Sequence, residues 1–203
     1  AHEGQPLEEV QSLFSNRVNI VPVLDKAGCV VGVLSQRDVL PFLDIKSQEV
    51  AVIGLGYVGL TLALVMADRG FSVVGYDLNG DLIARLKRRE PPFYEKELDN
   101  YLQTHIEHKL RPISDPDELN ADIYIISVGT PIDKKTLRPD DSAVVSAVET
   151  VAKRLKPNDL VIMRSTLPIG FTRNIIIPLL EEHSSFKAGE EFFISMCPER
   201  TTE

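Results

Sequence analysis

Three glycines with the spacing G-x-G-x-x-G are the most chemically informative pattern in the sequence. The first such glycine permits a tight turn, the second lets the backbone approach a diphosphate, and the third lets a helix pack closely on a strand. The N–H groups at a helix start, together with the positive end of the helix dipole, attract an anion. The candidate pyrophosphate-binding residues, the glycine-rich loop, are Gly54, Leu55, Gly56, Tyr57, Val58 and Gly59.

The residues on either side of this loop predict the elements that position it. Val50–Ile53 is a short apolar run typical of a buried strand, and an apolar helix follows the loop. A second strand, residues 71–76, ends at Asp77, close to the roughly 20-residue spacing at which a carboxylate meets the ribose of a dinucleotide. Such a carboxylate accepts hydrogen bonds from the ribose hydroxyls and disfavours a 2′-phosphate. The pattern therefore predicts a dinucleotide site that prefers NAD to NADP.

Two other interpretations of the apolar run over residues 51–67 are a membrane helix and an α/β scaffold that binds nothing. The run is shorter than the roughly 20 residues that a membrane-spanning helix needs, glycines interrupt it, and Asp68 ends it. We therefore expect no membrane association. The strand–loop–helix context favours dinucleotide binding over a scaffold without a ligand.

Composition and charge limit the class of protein further. The 203 residues are 43% apolar and 26% charged, which is typical of a globular chain. The net charge of −8 argues against a nucleic-acid partner or an anionic membrane surface. Two widely separated cysteines and the lack of a recognisable signal peptide predict a reducing, cytoplasmic location.

Further buried strands are predicted at residues 122–128, 160–164 and 192–196. Strands that alternate with helices indicate an α/β fold, a doubly wound parallel sheet of the Rossmann type. Ligands of such folds bind at the carboxyl ends of the strands. The residues at and just after the ends of the three strands are candidate site residues: Val128, Gly129, Thr130, Pro131, Ser165, Thr166 and Glu199.

The N-terminal segment predicts a small α+β unit. Residues 6–14 have helical spacing, residues 18–24 and 29–34 should pair as a hairpin, and a short helix should begin at Ser35. The order, with Val-Pro-Val-Leu-Asp at residues 21–25 and Gly-Val-Leu-Ser-Gln-Arg-Asp at residues 32–38, resembles a CBS motif over residues 5–45. The resemblance implies an adenine nucleotide with contacts from Ser35 and Asp38. A single motif supplies only half of the usual paired site, so the alternative is that it binds nothing here.

Several motifs in order resemble the UDP-glucose/GDP-mannose (nucleotide-sugar) 6-dehydrogenase family over residues 48–203. We therefore predict a partial CBS-like segment at residues 1–46 and an NAD-binding Rossmann domain at residues 47–203. The matching motifs are Gly-Leu-Gly-Tyr-Val-Gly-Leu (54–60), Gly-Tyr-Asp (75–77), Pro-Phe-Tyr-Glu (92–95), Ser-Val-Gly-Thr-Pro (127–131), Arg-Ser-Thr-Leu-Pro-Ile-Gly (164–170) and Cys-Pro-Glu-Arg-Thr-Thr-Glu (197–203).

The resemblance implies an enzyme that oxidises the C6 alcohol of a nucleotide sugar to a carboxylate with two NAD, through a thiohemiester on a cysteine. Thr130 and Ser165 would line the nicotinamide side. Thr166 and Glu199 would hold and activate the hydrolytic water, and Glu203 would lie beside the nicotinamide. The Cys-Pro-Glu-Arg form favours UDP-N-acetylmannosamine or UDP-N-acetylglucosamine as substrate, and family members form homodimers.

The sequence departs from the family pattern in two respects. Leu82 stands near the place where many members carry a basic residue, which predicts modest adenosine affinity. The nucleophilic cysteine, a catalytic lysine and asparagine, and the sugar-binding domain of the family lie beyond Glu203. We therefore expect this chain to bind NAD without completing the reaction.

Several residues are expected to have no chemical role. Cys29 and Cys197 are predicted to be buried apolar fillers, since the family match excludes Cys197 as the nucleophile. His105 and His108 have a spacing that could hold a metal, but solvent-exposed polar positions are favoured because no third ligand is near.

Two different functions compete with the dehydrogenase assignment. One is a regulatory nucleotide sensor, in which the CBS segment reads AMP or ATP and the Rossmann domain reads NAD. The other is a 3-hydroxyacyl or 6-phosphogluconate type dehydrogenase, which would not need the Tyr-Val-Gly, Phe-Tyr-Glu and Pro-Glu-Arg motifs together.

Overall fold

A computed structural model describes residues 1–6, 9–10, 13–14, 20–35, 48–132 and 139–199. The chain divides into two compact units, residues 1–45 and 46–203. Residues 36–43 of the helix expected to begin at Ser35, including Asp38, and the candidate catalytic residue Glu203 lie outside the described residues.

The N-terminal unit contains the expected hairpin. Strand β1 (Ile20–Leu24) pairs antiparallel with β2 (Val30–Ser35). The carboxylate of Asp25 closes the turn by accepting hydrogen bonds from the backbone N–H groups of Ala27 and Cys29, at 2.8 and 2.9 Å. Cys29 is exposed, so the prediction of a buried filler was wrong. It lies where the turn ends, and only its backbone is held by Asp25.

The C-terminal unit is built on a six-stranded parallel sheet, which confirms the predicted doubly wound fold. The strand order is β5-β4-β3-β6-β7-β8. Because β3, β4 and β5 extend to one side and β6, β7 and β8 to the other, the order reverses between β3 and β6, where doubly wound folds bind their ligands. The strands are β3 (Glu49–Ile53), β4 (Ser72–Tyr76), β5 (Leu110–Ile113), β6 (Ile123–Ile126), β7 (Leu160–Met163) and β8 (Phe193–Met196).

Helices connect the strands and cover both faces of the sheet. A 3₁₀ turn spans Pro116–Glu118, and a π-helical stretch, Thr172–Ile176, leads directly into the last helix. The α-helices are α1 (Tyr57–Asp68), α2 (Gly80–Lys87), α3 (Leu98–His105), α4 (Ser142–Ala152) and α5 (Ile177–Ser184).

Alternate residues of the strands fill two cores, as the pleat of a strand requires. On β3, Val50 and Val52 point to the core formed with α1, α2 and α3, whereas Ala51 and Ile53 point to the core formed with α4 and α5. All four side chains are at most 1% exposed. Burial on both faces explains why β3 is an unbroken apolar run rather than an alternating one.

The point at which helix α3 ends changes the interpretation of the histidines near it. The helix ends at His105 because Glu107 adopts a left-handed φ of 64°, which turns the chain into β5. His105 is only 8% exposed, with its Nε2 3.4 Å from Asp68 Oδ1, so the prediction that it is solvent-exposed was wrong. No group of three or more potential metal-ligating His, Cys, Asp or Glu residues occurs within the described ranges.

In the part of the chain that the structure describes, no helix combines the length and the apolar character needed to cross a bilayer.

Candidate functional site

The glycine-rich loop connects β3 to α1 at the point where the strand order reverses. Gly54 has a φ of 91°, and a Cβ atom there would lie 2.9 Å from the carbonyl oxygen of Ser127, which follows β6. A Cβ atom at Gly59 would lie only 1.8 Å from the carbonyl oxygen of Gly54. The turn therefore closes on itself and against β6, and side chains are excluded at both positions.

Gly56 differs from these two glycines, because a Cβ atom there would have no neighbour within 4 Å. Gly56 is the N-cap residue of α1, and no described side chain accepts a capping hydrogen bond at this end. The 12-residue helix thus presents its positive end beside an open loop. This is the geometry that accommodates a pyrophosphate close to the backbone.

Asp77 is held against the same loop. The backbone N–H of Leu55 donates to Asp77 Oδ2 at 2.8 Å, and the N–H of Asn79 donates to Oδ1 at 2.9 Å. These two bonds orient the carboxylate without neutralising it. Its place at the end of β4, one strand from the glycine-rich loop, is that of a ribose-binding carboxylate.

A cavity of about 200 Å³ opens beside Asp77. Burial, and then the nearby carboxylates of Asp77 and Asp115, raise the pKa of Tyr76 above its ordinary value. The lining is mostly apolar, as a flat aromatic base requires. The cavity is lined by Ile53, Gly54, Tyr76, Asp77, Leu78, Val128, Ala143, Ser146, Ala147 and Thr150.

A second cavity, of about 250 Å³, lies on the other side of the loop and is more polar. Its walls come from the residues after β3, β6, β7 and β8, so four strand ends meet there. The lining residues are Gly56, Tyr57, Val58, Ser127, Val128, Gly129, Thr130, Arg164, Ser165, Thr166 and Glu199.

Two hydroxyl groups join the loops that follow β6 and β7. Ser165 is 6% exposed, and its Oγ donates to the carbonyl oxygen of Val128 at 2.7 Å. Thr130 Oγ1 donates to the carbonyl oxygen of Thr166 at 3.1 Å. Both hydroxyls hold the backbone of the neighbouring loop, so the polar wall of the second cavity is fixed in position.

Arg164 belongs to this wall, although it was not among the predicted site residues. Its Nη2 donates to Glu199 Oε2, and the two side chains are 23% and 17% exposed. Arg164 Nε is buried and has no hydrogen-bond partner among the residues that the structure describes. A charged residue at the end of a buried strand, directly before Ser-Thr, was the signal that could have identified it.

Tyr57 and Glu95 form a second pairing that was not predicted. The Tyr57 hydroxyl donates to Glu95 Oε2 at 2.6 Å, and the Tyr57 ring lies 5.0 Å from that of Phe93. The segment after α2 is therefore attached to the glycine-rich loop. The motif Pro-Phe-Tyr-Glu carried this signal, but its spacing alone does not show which loop it meets.

Several other residues named from the sequence do not line either of the two cavities. Pro131 lies beside Thr130 but is exposed, and Ser35 ends β2 in the N-terminal unit. Leu82 packs against the core of α1, α2 and α3, with no basic side chain in its place. Cys197 is exposed, so the prediction of a buried filler was wrong: it follows β8, the edge strand of the sheet, which has a neighbour on one side only.

The two cavities share Val128 as a lining residue, and we refer to them together as the crevice. A dinucleotide fits the donors and acceptors along it. The carboxylate of Asp77 suits a ribose diol, and the open backbone at Gly56 suits a pyrophosphate.

Comparisons with known proteins also indicate an NAD-binding domain in the C-terminal unit. The model of the UDP-glucose/GDP-mannose dehydrogenase family, NAD-binding domain, matches residues 48–203, and the CBS domain model matches residues 1–44. Protein CapL of Staphylococcus aureus is 36% identical over 155 residues, which are 76% of this chain and 35% of CapL. The UDP-N-acetyl-D-glucosamine 6-dehydrogenase of Pseudomonas aeruginosa is 35% identical over 158 residues, covering 76% of this chain and 36% of that enzyme.

Among solved structures, a UDP-D-ManNAc dehydrogenase from Pyrococcus horikoshii superimposes with a TM-score of 0.72 at 33% identity. The alignment covers 76% of this chain and 37% of that protein. The chain therefore spans about a third of the length of the relatives that it matches. The strand order of the parallel sheet and the hydrogen bond between the glycine-rich loop and Asp77 agree with a family match that covers three quarters of the chain. The chain therefore belongs to the UDP-glucose/GDP-mannose dehydrogenase family and carries its NAD-binding domain after a CBS domain.

Proposed function

We propose that residues 47–203 bind NAD in the crevice on both sides of the glycine-rich loop and serve the oxidation of a nucleotide-sugar C6 alcohol to a carboxylate. The observation that carries the proposal is the hydrogen bond from Leu55 N–H to Asp77, which joins the pyrophosphate loop and the ribose carboxylate into one site. The adenosine would occupy the cavity beside Tyr76 and Asp77. The nicotinamide would occupy the more polar cavity beside Thr130 and Ser165.

The chain's own residues have distinct tasks in this proposal. Asp77 accepts hydrogen bonds from the adenosine ribose, and the backbone of the glycine-rich loop binds the pyrophosphate. Ser165 and Thr130 hold the loops after β6 and β7 at a fixed separation, so the nicotinamide enters a preformed wall. Preorganised groups of this kind lose little entropy when the ligand binds.

Bound NAD would supply the acceptor for the hydride that leaves C6. Hydrolysis of a thioester intermediate then needs a positioned water and a group that takes its proton. Glu199 lines the same cavity as Thr166 and is held by Arg164, which supports a role for both residues in holding this water. Glu203 is proposed beside the nicotinamide from the family resemblance alone.

The proposed substrates are UDP-N-acetylmannosamine or UDP-N-acetylglucosamine. The names of the relatives support this class, since they include dehydrogenases of both sugars. The chain spans about a third of those proteins. We therefore propose that NAD binding resides in these residues, and that turnover and homodimer formation require the remaining length that such enzymes have.

Calorimetric titration of the chain with NAD, then NADP, then AMP tests the cofactor site. We expect NAD to bind more tightly than NADP, and the preference to fall in Asp77→Ala. The substrate is tested in the complete protein that carries these residues, by following NADH absorbance with a panel of nucleoside-diphosphate sugars. NADH formation with a 3-hydroxyacyl substrate or 6-phosphogluconate, and not with a UDP-sugar, would contradict the proposal.

A nucleotide-sensing function is the alternative that the CBS match favours. It predicts micromolar AMP binding that Asp38→Ala abolishes while NAD binding is unchanged. AMP binding that survives Asp38→Ala but is lost in Asp77→Ala would instead locate AMP in the adenosine cavity of the dehydrogenase site.

A further inference from the structure

Arg164, which follows β7, and Glu199, which follows β8, form an ion pair. No role has yet been proposed for Arg164 itself. The backbones are joined twice: Cys197 N–H donates to the carbonyl oxygen of Met163 at 2.9 Å, and Glu199 N–H donates to that of Arg164 at 3.2 Å. The N–H of Arg164 donates in turn to the carbonyl oxygen of Ile126 at 2.8 Å. Arg164 is therefore anchored to the strands on both sides before its side chain makes any contact.

The side chains then meet across the adjacent strand ends, where Arg164 Nη2 donates to Glu199 Oε2. Both are more than three quarters buried. A charge pair in this setting is screened less by solvent and salt than an exposed pair, so a change in one partner acts strongly on the other. We therefore expect Arg164 to influence the position of the Glu199 carboxylate more than the arginine of an exposed ion pair would.

The pair also occupies a particular place in the crevice. Arg164 and Glu199 both line the polar cavity that contains Thr166. They line as well a neighbouring cavity of about 230 Å³ along α1, with Tyr57, Thr61 and Val65. The residues that line both cavities, here called the partition between the proposed nicotinamide space and the space beside it, are Tyr57, Val58, Arg164 and Glu199.

We propose that Arg164 is a positioning residue, which acts through Glu199 by holding its carboxylate at the partition. This inference rests on the proposed function for its catalytic consequence, and on the structure for the geometry. A carboxylate takes a proton from water efficiently only when it is held within reach of that water. Arg164 itself is assigned no contact with the sugar.

The first test is crystallographic and needs no turnover. In Arg164→Gln we expect the Glu199 carboxylate to leave the partition, and in Arg164→Lys we expect it to remain there, because a lysine ammonium can still pair with it. Thermal unfolding of each variant shows whether the fold is retained. A Glu199 side chain that stays in place in folded Arg164→Gln overturns the proposal.

The second test is a double-mutant cycle in the complete protein, with Arg164→Gln, Glu199→Gln and both together. We expect Arg164→Gln to lower kcat at least tenfold, with KM for NAD changed by less than about twofold, and Arg164→Lys to restore much of kcat. If Arg164 acts through Glu199, adding Arg164→Gln to Glu199→Gln should cost no further activity. Effects that multiply would overturn the proposal.

Arg111→Gln is the matched control, because it also removes an arginine from an ion pair, at 3.2 Å to Glu118, but on β5 outside the crevice. It should leave kcat unchanged. Failure of the wild-type protein to oxidise any nucleotide sugar would overturn the proposed function, whereas the displacement of Glu199 is measured independently of activity. A tenfold loss of NAD affinity with unchanged kcat in Arg164→Gln would make Arg164 a cofactor-binding residue and overturn the positioning role.

Discussion

Leu55 and Asp77 are joined by a hydrogen bond of 2.8 Å from the backbone N–H of the glycine-rich loop to the carboxylate at the end of the neighbouring strand. The bond connects the residue expected to recognise the ribose with the loop expected to bind the pyrophosphate. A second backbone N–H, from Asn79, holds the other oxygen of the carboxylate. The ribose site is therefore oriented by the protein before any nucleotide arrives.

Asp77→Ala should weaken NAD binding by about 1–3 kcal/mol, the usual cost of losing a hydrogen bond to a charged group. The preference for NAD over NADP should fall as well, because the carboxylate no longer disfavours a 2′-phosphate. Calorimetry with both nucleotides measures the two effects. Asp77→Asn is the control that retains an acceptor without the charge, and unchanged NAD affinity in Asp77→Ala would refute the ribose role.

Gly56→Ala should impair NAD binding and Gly59→Ala should impair stability, although the two glycines lie only three positions apart in one loop. A methyl group at Gly56 meets no protein atom, so the thermal midpoint should hardly change while NAD binding is lost. A methyl group at Gly59 meets the carbonyl oxygen of Gly54. The free energy of unfolding should therefore fall by about 1–3 kcal/mol or more, the usual cost of overpacking. Thermal unfolding and calorimetry on both variants separate the effects, and a Gly56→Ala variant that binds NAD normally would contradict the pyrophosphate assignment.

Ser165→Ala should destabilise the fold by about 1 kcal/mol and weaken NAD binding. The substitution removes the donor to the carbonyl oxygen of Val128, which lies in the wall shared by both cavities. Urea unfolding and calorimetry measure the two changes. Thr104→Val is a suitable control, because the Thr104 hydroxyl also donates to a backbone carbonyl, at 2.8 Å, but on the exposed side of α3; equal effects of the two substitutions on NAD binding would refute the role of Ser165.

Asp159 should make stability decrease as the pH rises through the mildly acidic range. Burial raises the pKa of Asp159, outweighing the hydrogen bond from the Lys156 N–H and the charge of that lysine, and the Asp122 carboxylate adds to the rise. The folded protein thus holds this proton more tightly than the unfolded chain, so the free energy of unfolding falls from the ordinary aspartate pKa, about 4, up to the raised value and is constant above it. Asp159→Asn should lack this dependence. Urea unfolding from pH 4 to pH 7 measures both proteins, and parallel curves would show that the proton is not held in the fold.

The strands, the glycine-rich loop and the acidic residue after β4 could be predicted because each depends on a few consecutive residues. An apolar run such as Val50–Ile53 and the spacing of Gly54, Gly56 and Gly59 constrain the backbone locally. The fold class followed from the alternation of such segments. The polar residues after β6 and β7 could be named for the same reason, since the strands of one parallel sheet end at one edge.

Only the tertiary structure decided which of these residues touch. Arg164 and Glu199 meet because β7 and β8 are neighbours in the sheet, and strand order is not encoded in the period of either strand. His105 is buried because the chain turns at Glu107 and brings it to Asp68, although its polarity predicted exposure. Cys197 is exposed because β8 is an edge strand, although its apolar character predicted burial. Local sequence determines the conformation of each element, whereas burial and side-chain pairing depend on which elements are adjacent.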